Sequence, residues 1–372
     1  MFPLFPTDSQ SIFQRIKQVD PIKYGKTRNY LNGSVTYLSP YISRGLISTR
    51  QVLESVLNKG YGLYQIETFV KELCWRDYFQ RVGQFKDLNQ DIRQPQPGVS
   101  NHAIPQSVIQ AKTGIEGIDK SIQQLYQSGY MHNHARMYTA SLVCNVAQSY
   151  WKNPSQWMYY HLLDGDWASN TCSWQWVAGA NSGKKYYANQ ENINKFTGTN
   201  QFHTILDVHY SEIENMPVPE SLLQTENFQA VTIFPSSSSI IIDEDLPTFI
   251  YNYYNLDPSW HKNELGNRVL FIDTDFFQLH PVSPKCMDFM LALSENIPNI
   301  QIFVGNLSEL VRITKGSIWY YKEHPLNQSY KGVEEQREWI APDVTGYFPS
   351  FFGYWKQVEK SIKKNYSQSL KG

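Results

Sequence analysis

Apolar positions recur at helical spacing in four stretches of the first two hundred residues: 48–58, 64–82, 116–128 and 134–150. Spacings of three and four put one face of each stretch on a core, so a helix is expected in each. Ser48, with Gln51 three residues on, reads as a capping box at the start of the first. The pattern breaks at 89–105, which holds three prolines and a glycine, and again at 179–183 (GANSG). Residues 209–230 carry Glu212, Glu214, Pro217, Pro219 and Glu220 with little period and read as a linker. Beyond 230 short β-rich runs follow at 231–234, 240–242, 269–272, 300–304 and 318–321, the later ones separated by helical stretches such as 284–295. Strand alternating with helix predicts a parallel sheet. The expected fold is therefore mostly α: a helical domain over 1–208, a linker over 209–230, and a smaller α/β, Rossmann-like domain over 231–372. The one biased run is the four serines 236–239.

Composition changes this picture little. Lys and Arg total 33 against 34 Asp and Glu, which excludes a histone-like wrapping protein but leaves room for a local basic patch. The 25 Tyr, 19 Phe and 10 Trp fill cores, stack on flat ligands, or do both. Cys74, Cys144, Cys172 and Cys286 show no metal spacing and no disulfide framework, which fits a reduced, cytoplasmic protein. The opening MFPLFPTDSQ has no basic stretch leading into an apolar one, so no signal peptide is expected. No run of 18 apolar residues points to a membrane span.

Four constellations carry candidate chemistry. In NGSVTYLSPY (32–41), Ser39 is a natural N-cap and Pro40 a natural first helical residue, with Ser34 and Thr36 close by. Unpaired N–H groups and hydroxyls there suit a phosphate, or simply cap a loop. In FVKELCWRDYFQR (69–81), Glu72, Trp75 and Arg76 share a helix face, either as an ion pair packed on an indole or as a pocket with one stacking wall. In MHNHARM (131–137), Asn133, Arg136 and Met137 share a face. His132 and His134, two apart, do not, which argues against a metal pair. In LDGDWASNTCSWQWVAG (163–179), Asp164, Asp166, Asn170, Trp174 and Trp176 crowd together without the late Glu and alternating oxygens of a calcium loop.

Tyr24 with Arg28-Asn29, then LSPY (38–41), ELCWRDYF (72–79), MHNHARM (131–137) and LLDGDWASNTCSWQW (162–176) resemble consecutive signature blocks of the DNA photolyase/cryptochrome family, in order and nearly at its spacing. The resemblance covers roughly residues 20–200. It implies a photolyase-like helical domain with non-covalent FAD, held by Tyr24, Ser34, Thr36, Leu38 and Ser39 at the phosphates and ribityl chain. It also implies an Arg136–Asp164 pair beside the flavin ring, Asn133 at flavin N5, and Asp166 and Asn170 on the folded cofactor. Glu72, Trp75, Met137 and Trp176, with Arg76 on the same helix face as Glu72, match residues that grip a pyrimidine dimer. Trp174 and Trp151 match the inner and middle members of a tryptophan electron chain.

The implied function is blue-light-driven repair of damaged DNA by electron transfer from reduced flavin to a flipped lesion. The alternative is a cryptochrome-like photoreceptor acting through a protein partner. A flipped base needs aromatic walls and few polar anchors, and the flavin carries the chemistry while the protein positions and polarises. Several features depart from the family. No antenna domain is expected before residue 20. The outer chain tryptophan has no counterpart in QPQPGVSNHAIPQS (94–107), leaving Trp157, Trp167, Tyr150 and Tyr159 as candidates. Two arginines that often meet DNA phosphates are His134 and Asn189 here, so weak affinity for undamaged duplex is expected, with Lys184, Lys185 and Lys195 as remaining charge. Residues 180–200 are similar to the iron–sulfur branch, but without its cysteines no cluster is expected. RVLFID (268–273), 283–306 and SIWYYKEHP (317–325) faintly resemble the family's α/β antenna domain, displaced behind the helical one. No GxGxxG or P-loop marks it, its pigment is left open, and Asp273 with Asp275 reads as a strand-end turn.

Overall fold

A computed structural model of the chain describes Phe2, residues 4–236 and residues 239–366. Ser237 and Ser238 of the serine run lie outside the described residues. The chain forms two compact units, and their boundaries are not those read from the sequence. The first unit draws on 1–22, 36–85 and 231–372; the second on 23–35 and 86–230. The expected 1–208 domain is thus divided, and 36–85 belongs with the α/β part.

The first unit is built on five parallel strands: β1 (Thr248–Tyr251), β2 (Asn267–Asp273), β3 (Ile300–Gly305), β4 (Trp319–Lys322) and β5 (Val333–Glu335). Their order is β3-β2-β1-β4-β5, with Ile250 of β1 opposite Val269 and Tyr321. That is the order of doubly wound nucleotide-type sheets, whose chain reverses direction beside β1. Ile250, Val269, Phe271, Phe303 and Trp319 fill one core. Every residue of β1 is buried, as a central parallel strand requires.

Two of the β-rich runs are not strands. Residues 231–234 are irregular, and Ile240 and Ile242 pack on the sheet core while Ile241 bonds through its backbone to the Gln301 side chain. Conversely β1 and β5 had no sequence expectation. Asp273 caps the helix Thr274–Leu279 by accepting from the N–H groups of Asp275 and Phe276, which is the strand-end turn.

In the same unit, the helix Leu63–Phe85 runs 23 residues and is buried on several sides, so no single apolar stripe marks it. Phe351–Asn365 packs against it. Thr49–Leu57 starts with the expected capping box: Ser48 Oγ accepts from Gln51 N at 3.0 Å, and Gln51 Oε1 accepts from Ser48 N at 3.1 Å.

The second unit is helical: Glu116–Ser128, Asn133–Ser141, Lys152–His161, Trp167–Ala178 and Gln190–Thr197 surround Ile118, Leu125, Tyr138, Trp151, Trp157, Trp174 and Val177. The helix expected over 134–150 ends at Ser141 and continues as a π turn over Leu142–Val146. The supposed linker 209–230 is part of this core. Ile213 and Leu222 are 1% exposed, and Thr225–Glu226 pairs antiparallel with Ile104–Pro105. Its hydrophobics are too widely spaced to show a period, yet Ile213 and Leu222 fill the helical core and Met216, Val218 and Phe228 pack against it.

Candidate flavin site and aromatic core

In the second unit Arg136 and Asp164 form an ion pair through one guanidinium nitrogen. Arg136 Nη2 donates to Asp164 Oδ1 at 2.9 Å and to Oδ2 at 2.8 Å, while its Nε donates to Met131 O at 2.8 Å. Asp164 is 4% exposed and Arg136 half-buried, so the pair is close to solvent on one side only. Two fixed contacts on one guanidinium set its plane, which a lysine would not do. Gly129 reverses the chain in a left-handed conformation, and its carbonyl accepts from Leu163 N at 2.8 Å, which seats the aspartate's segment.

Asn133 is exposed at the start of the nine-residue helix Asn133–Ser141. His132 caps that helix by accepting from His134 N on Nδ1, and burial pushes its imidazole down to about 4. It is therefore neutral, as an accepting cap must be. His134 has its ring against Tyr138 and Phe196. Met137 is half-buried against the core.

Asp166 is the N-cap of Trp167–Ala178, accepting from Ser169 N at 2.7 Å. Asn170 is buried and donates to Ser155 O at 2.9 Å. Both expected cofactor contacts thus also hold the fold. Ser169 Oγ, between them, is enclosed with no hydrogen-bond partner among the described residues. Proteins rarely leave such an atom unpaired, and beside Asp166 it suits a polar cofactor group. Tyr24 and Ser34 are half-buried. Ser34 N donates to Thr27 Oγ1 at 2.9 Å, in a turn where a side chain on Gly33 would stand 2.0 Å from Thr27 O.

Trp174 and Trp151 belong to one buried core, at 2% and 0% exposure. Trp151 Nε1 donates to Asp91 Oδ1 at 2.6 Å. Trp176 is 38% exposed with its ring 5.8 Å from Tyr186. Asn189 caps Gln190–Thr197.

In the first unit Leu38, not Ser39, stands at the N-cap of the five-residue helix Ser39–Ser43, with Thr36 Oγ1 accepting from Leu38 N at 3.3 Å. The helix begins one residue earlier than expected because Leu38, 1% exposed, is drawn into the core. Arg76 Nη1 donates to Ser43 Oγ at 2.8 Å, joining this helix to Leu63–Phe85. Glu72 is half-buried. Trp75 stacks flat on Phe351, centroids 3.7 Å apart at 9°. Its neighbour Asp77, unremarked in the sequence, is buried and accepts from Thr49 Oγ1 at 2.8 Å and Ile340 N at 3.1 Å. A lone Asp between Arg76 and Tyr78, in a helix rich in apolar and aromatic residues, was the available signal.

At the carboxyl ends of β1 and β4 a cavity of about 40 Å3 is lined by Tyr254, Asn255, Asp257, Lys322 and Glu323. Lys322 Nζ and Asp257 Oδ2 are paired there at 2.6 Å. No group of three or more His, Cys, Asp or Glu among the described residues could hold a metal ion, and no described helix is long and apolar enough to cross a membrane.

The second unit is thus a helical domain with an oriented, half-enclosed ion pair and an aromatic core. Residues 69–204 match the family described as the FAD binding domain of DNA photolyase. Over that segment the chain is similar to the photolyase/cryptochrome family. A deoxyribodipyrimidine photo-lyase of Alkalihalophilus pseudofirmus is 34% identical over 147 residues, 38% of this chain and 30% of that protein. Its counterpart in Streptomyces griseus is 33% identical over 149 residues, 38% and 31% respectively. A Synechocystis cryptochrome structure aligns at TM-score 0.44 and 22% identity, over 52% of this chain and 44% of its own. The aligned part spans less than half the length of each of these relatives.

Proposed function

We propose that the chain binds FAD non-covalently and uses blue light to repair pyrimidine dimers in DNA. The observation that carries this is the Arg136–Asp164 pair beside exposed Asn133, inside the segment that matches the family. Bound and reduced, FAD supplies the light-driven electron that opens a cyclobutane ring. The chain's own residues hold and polarise. In the second unit Arg136 and Asp164 orient the flavin ring, Asn133 meets its N5, and Tyr24, Ser34, Asp166 and Asn170 hold the rest of the cofactor. Trp174 and Trp151 return electrons to it, and Met137 and Trp176 contact the lesion. In the first unit Thr36, Leu38 and Ser39 serve the cofactor. There Glu72 hydrogen-bonds the dimer carbonyls, where charge develops, with Trp75 and Arg76 beside it.

A second reading, a light sensor acting through a protein partner, draws on two observations. Phe351 covers one face of Trp75. The positions often used for phosphates hold His134 and Asn189, which serve packing and capping.

The test is a light-repair assay with FAD-loaded, fully reduced protein on single- and double-stranded oligonucleotides bearing a defined lesion. Repair in light and none in darkness is expected, with undamaged duplex bound weakly and a shallow salt slope. If neither cyclobutane dimers nor 6–4 products are repaired or preferentially bound, the sensor reading replaces this one.

A further inference from the structure

The electron chain expected from the sequence stops at Trp151, which is fully buried and has no route to a solvent reductant of its own. The structure continues it. Tyr150 lies with its ring centroid 5.6 Å from that of Trp151, at 48°. It is half-buried, and on its other side the exposed His102 stands 5.0 Å away. The loop that lacks the outer tryptophan is therefore the one that covers Tyr150: Tyr150 N donates to Asn101 O at 2.8 Å, and Gln96 Oε1 accepts from Trp151 N at 2.9 Å.

One carboxylate serves both rings. Asp91 Oδ1 accepts from Trp151 Nε1 at 2.6 Å and from Tyr150 Oη at 3.1 Å, while Oδ2 accepts from Gln96 N. The rival candidates lack this placement. Trp157, Tyr159 and Trp167 are 0–1% exposed, and their rings meet Tyr126 and His161, or each other.

We propose that Tyr150 is the terminal electron donor of a chain Trp174–Trp151–Tyr150, and that Asp91 takes its phenolic proton. This rests on the flavin photochemistry proposed above, whose light-excited oxidised cofactor is the oxidant acting through Trp174. The step balances within the chain. One electron passes from the Tyr150 phenol to the oxidised Trp151 indole. The Oη–H bond breaks, its proton goes to Asp91 Oδ1, and Trp151 is restored while Tyr150 becomes a neutral phenoxyl radical. Burial and Asp91 push the Tyr150 hydroxyl up to about 12, so the proton is in place beforehand. Moving it to a hydrogen-bonded acceptor avoids a buried phenol cation, which the low-dielectric surroundings would oppose. An external thiol then reduces the phenoxyl at the edge of the unit.

The experiment is flash transient absorption with freeze-trapped electron paramagnetic resonance on the full FAD-loaded chain. The wild type should show a tryptophan radical followed by a phenoxyl signal. Tyr150→Phe, which keeps the ring, should show the tryptophan radical and lose the phenoxyl. Asp91→Asn should do the same, and Tyr150→Trp should restore a long-lived radical with an indole spectrum. Flavin absorbance and near-ultraviolet dichroism check that each variant is folded and loaded. A phenoxyl signal undiminished in Tyr150→Phe overturns this proposal alone. Absence of any tryptophan radical in loaded wild type overturns the photoreduction reading and this proposal with it.

Discussion

The two tryptophans expected at a lesion are held differently in the two units, Trp75 stacked on Phe351 and Trp176 open to solvent. In the first, Trp75 is stacked on Phe351, Lys322 is paired with Asp257, and the Arg81 guanidinium lies 3.7 Å over the Trp339 ring. In the second, Asn133 is exposed and Trp176 is 38% exposed. Trp75, Lys322 and Arg81 are engaged inside their own fold, whereas Asn133 and Trp176 present surface to solvent. A group engaged inside its own fold costs stability when changed, whereas a group kept for a ligand costs binding.

The sharpest way to break this contrast is truncation. A chain ending at Ala230 loses all five strands and the Phe351–Asn365 helix. Limited proteolysis should then cut at Arg76 and Arg81 in the orphaned Leu63–Phe85 helix, with 86–230 surviving as a resistant fragment. Equal resistance of 36–85 would show that this segment does not need the sheet.

Next in size is Asp164→Ala, which leaves Arg136 half-buried without its partner. Breaking a buried pair costs about 3–5 kcal/mol, so the denaturation midpoint should fall and FAD should be lost on gel filtration. In the first unit Asp77→Asn is the matched change. Burial raises the Asp77 carboxyl above its ordinary value. In Asn the single oxygen can still accept from Ile340 N while the NH2 donates to the rotatable Thr49 hydroxyl, so the loss should stay within about 1–3 kcal/mol and FAD should be retained.

The two tryptophans expected at the lesion then separate. Trp75→Ala opens a space against Phe351 and should destabilise by about 2–4 kcal/mol, somewhat below a fully buried aromatic. Trp176→Ala should change stability by less than about 1 kcal/mol while weakening lesion binding. Thermal melts and lesion titrations on the two variants read both quantities. A Trp75→Ala protein as stable as wild type would show that the stack is incidental.

The smallest effect is one the units share. His132 in the second and His280 in the first are each pushed down from 6.5 to about 4 by burial. The unfolded chain binds these protons first, so their contribution is whole above pH 6.5 and is lost as pH falls toward 4. Each is worth at most about 3 kcal/mol over that window. His132→Asn and His280→Asn should each flatten the acid limb of the stability profile, with His132→Asn also loosening the helix start beside Asn133. An unchanged acid limb in both variants would place the acid sensitivity in the carboxylates.

Much was legible locally, and the reason is that the relevant forces are local. Glu116–Ser128 follows from its 3.6-residue period, the Ser48–Gln51 box from the spacing of one helical turn, and β2, β3 and β4 from β-branched and aromatic runs. The pair Arg136–Asp164 was reached through the family blocks, as 28 residues of chain separate its members. What tertiary structure alone decided lies where partners are distant. β5 reads Val-Glu-Glu and is a strand because β4 offers it a parallel edge, and β1 is short and central because its neighbours bury it. The 209–230 stretch joins a core without any period of its own, and 36–85 leaves its sequence neighbours to pack with a sheet two hundred residues on. Residue types and spacing thus determined which helices form and which side chains are candidates for chemistry. Burial and long-range pairing decided which of those side chains are closed off, as Trp75 is by Phe351, and which, like Tyr150 against Trp151, are set beside a partner that gives them something to do.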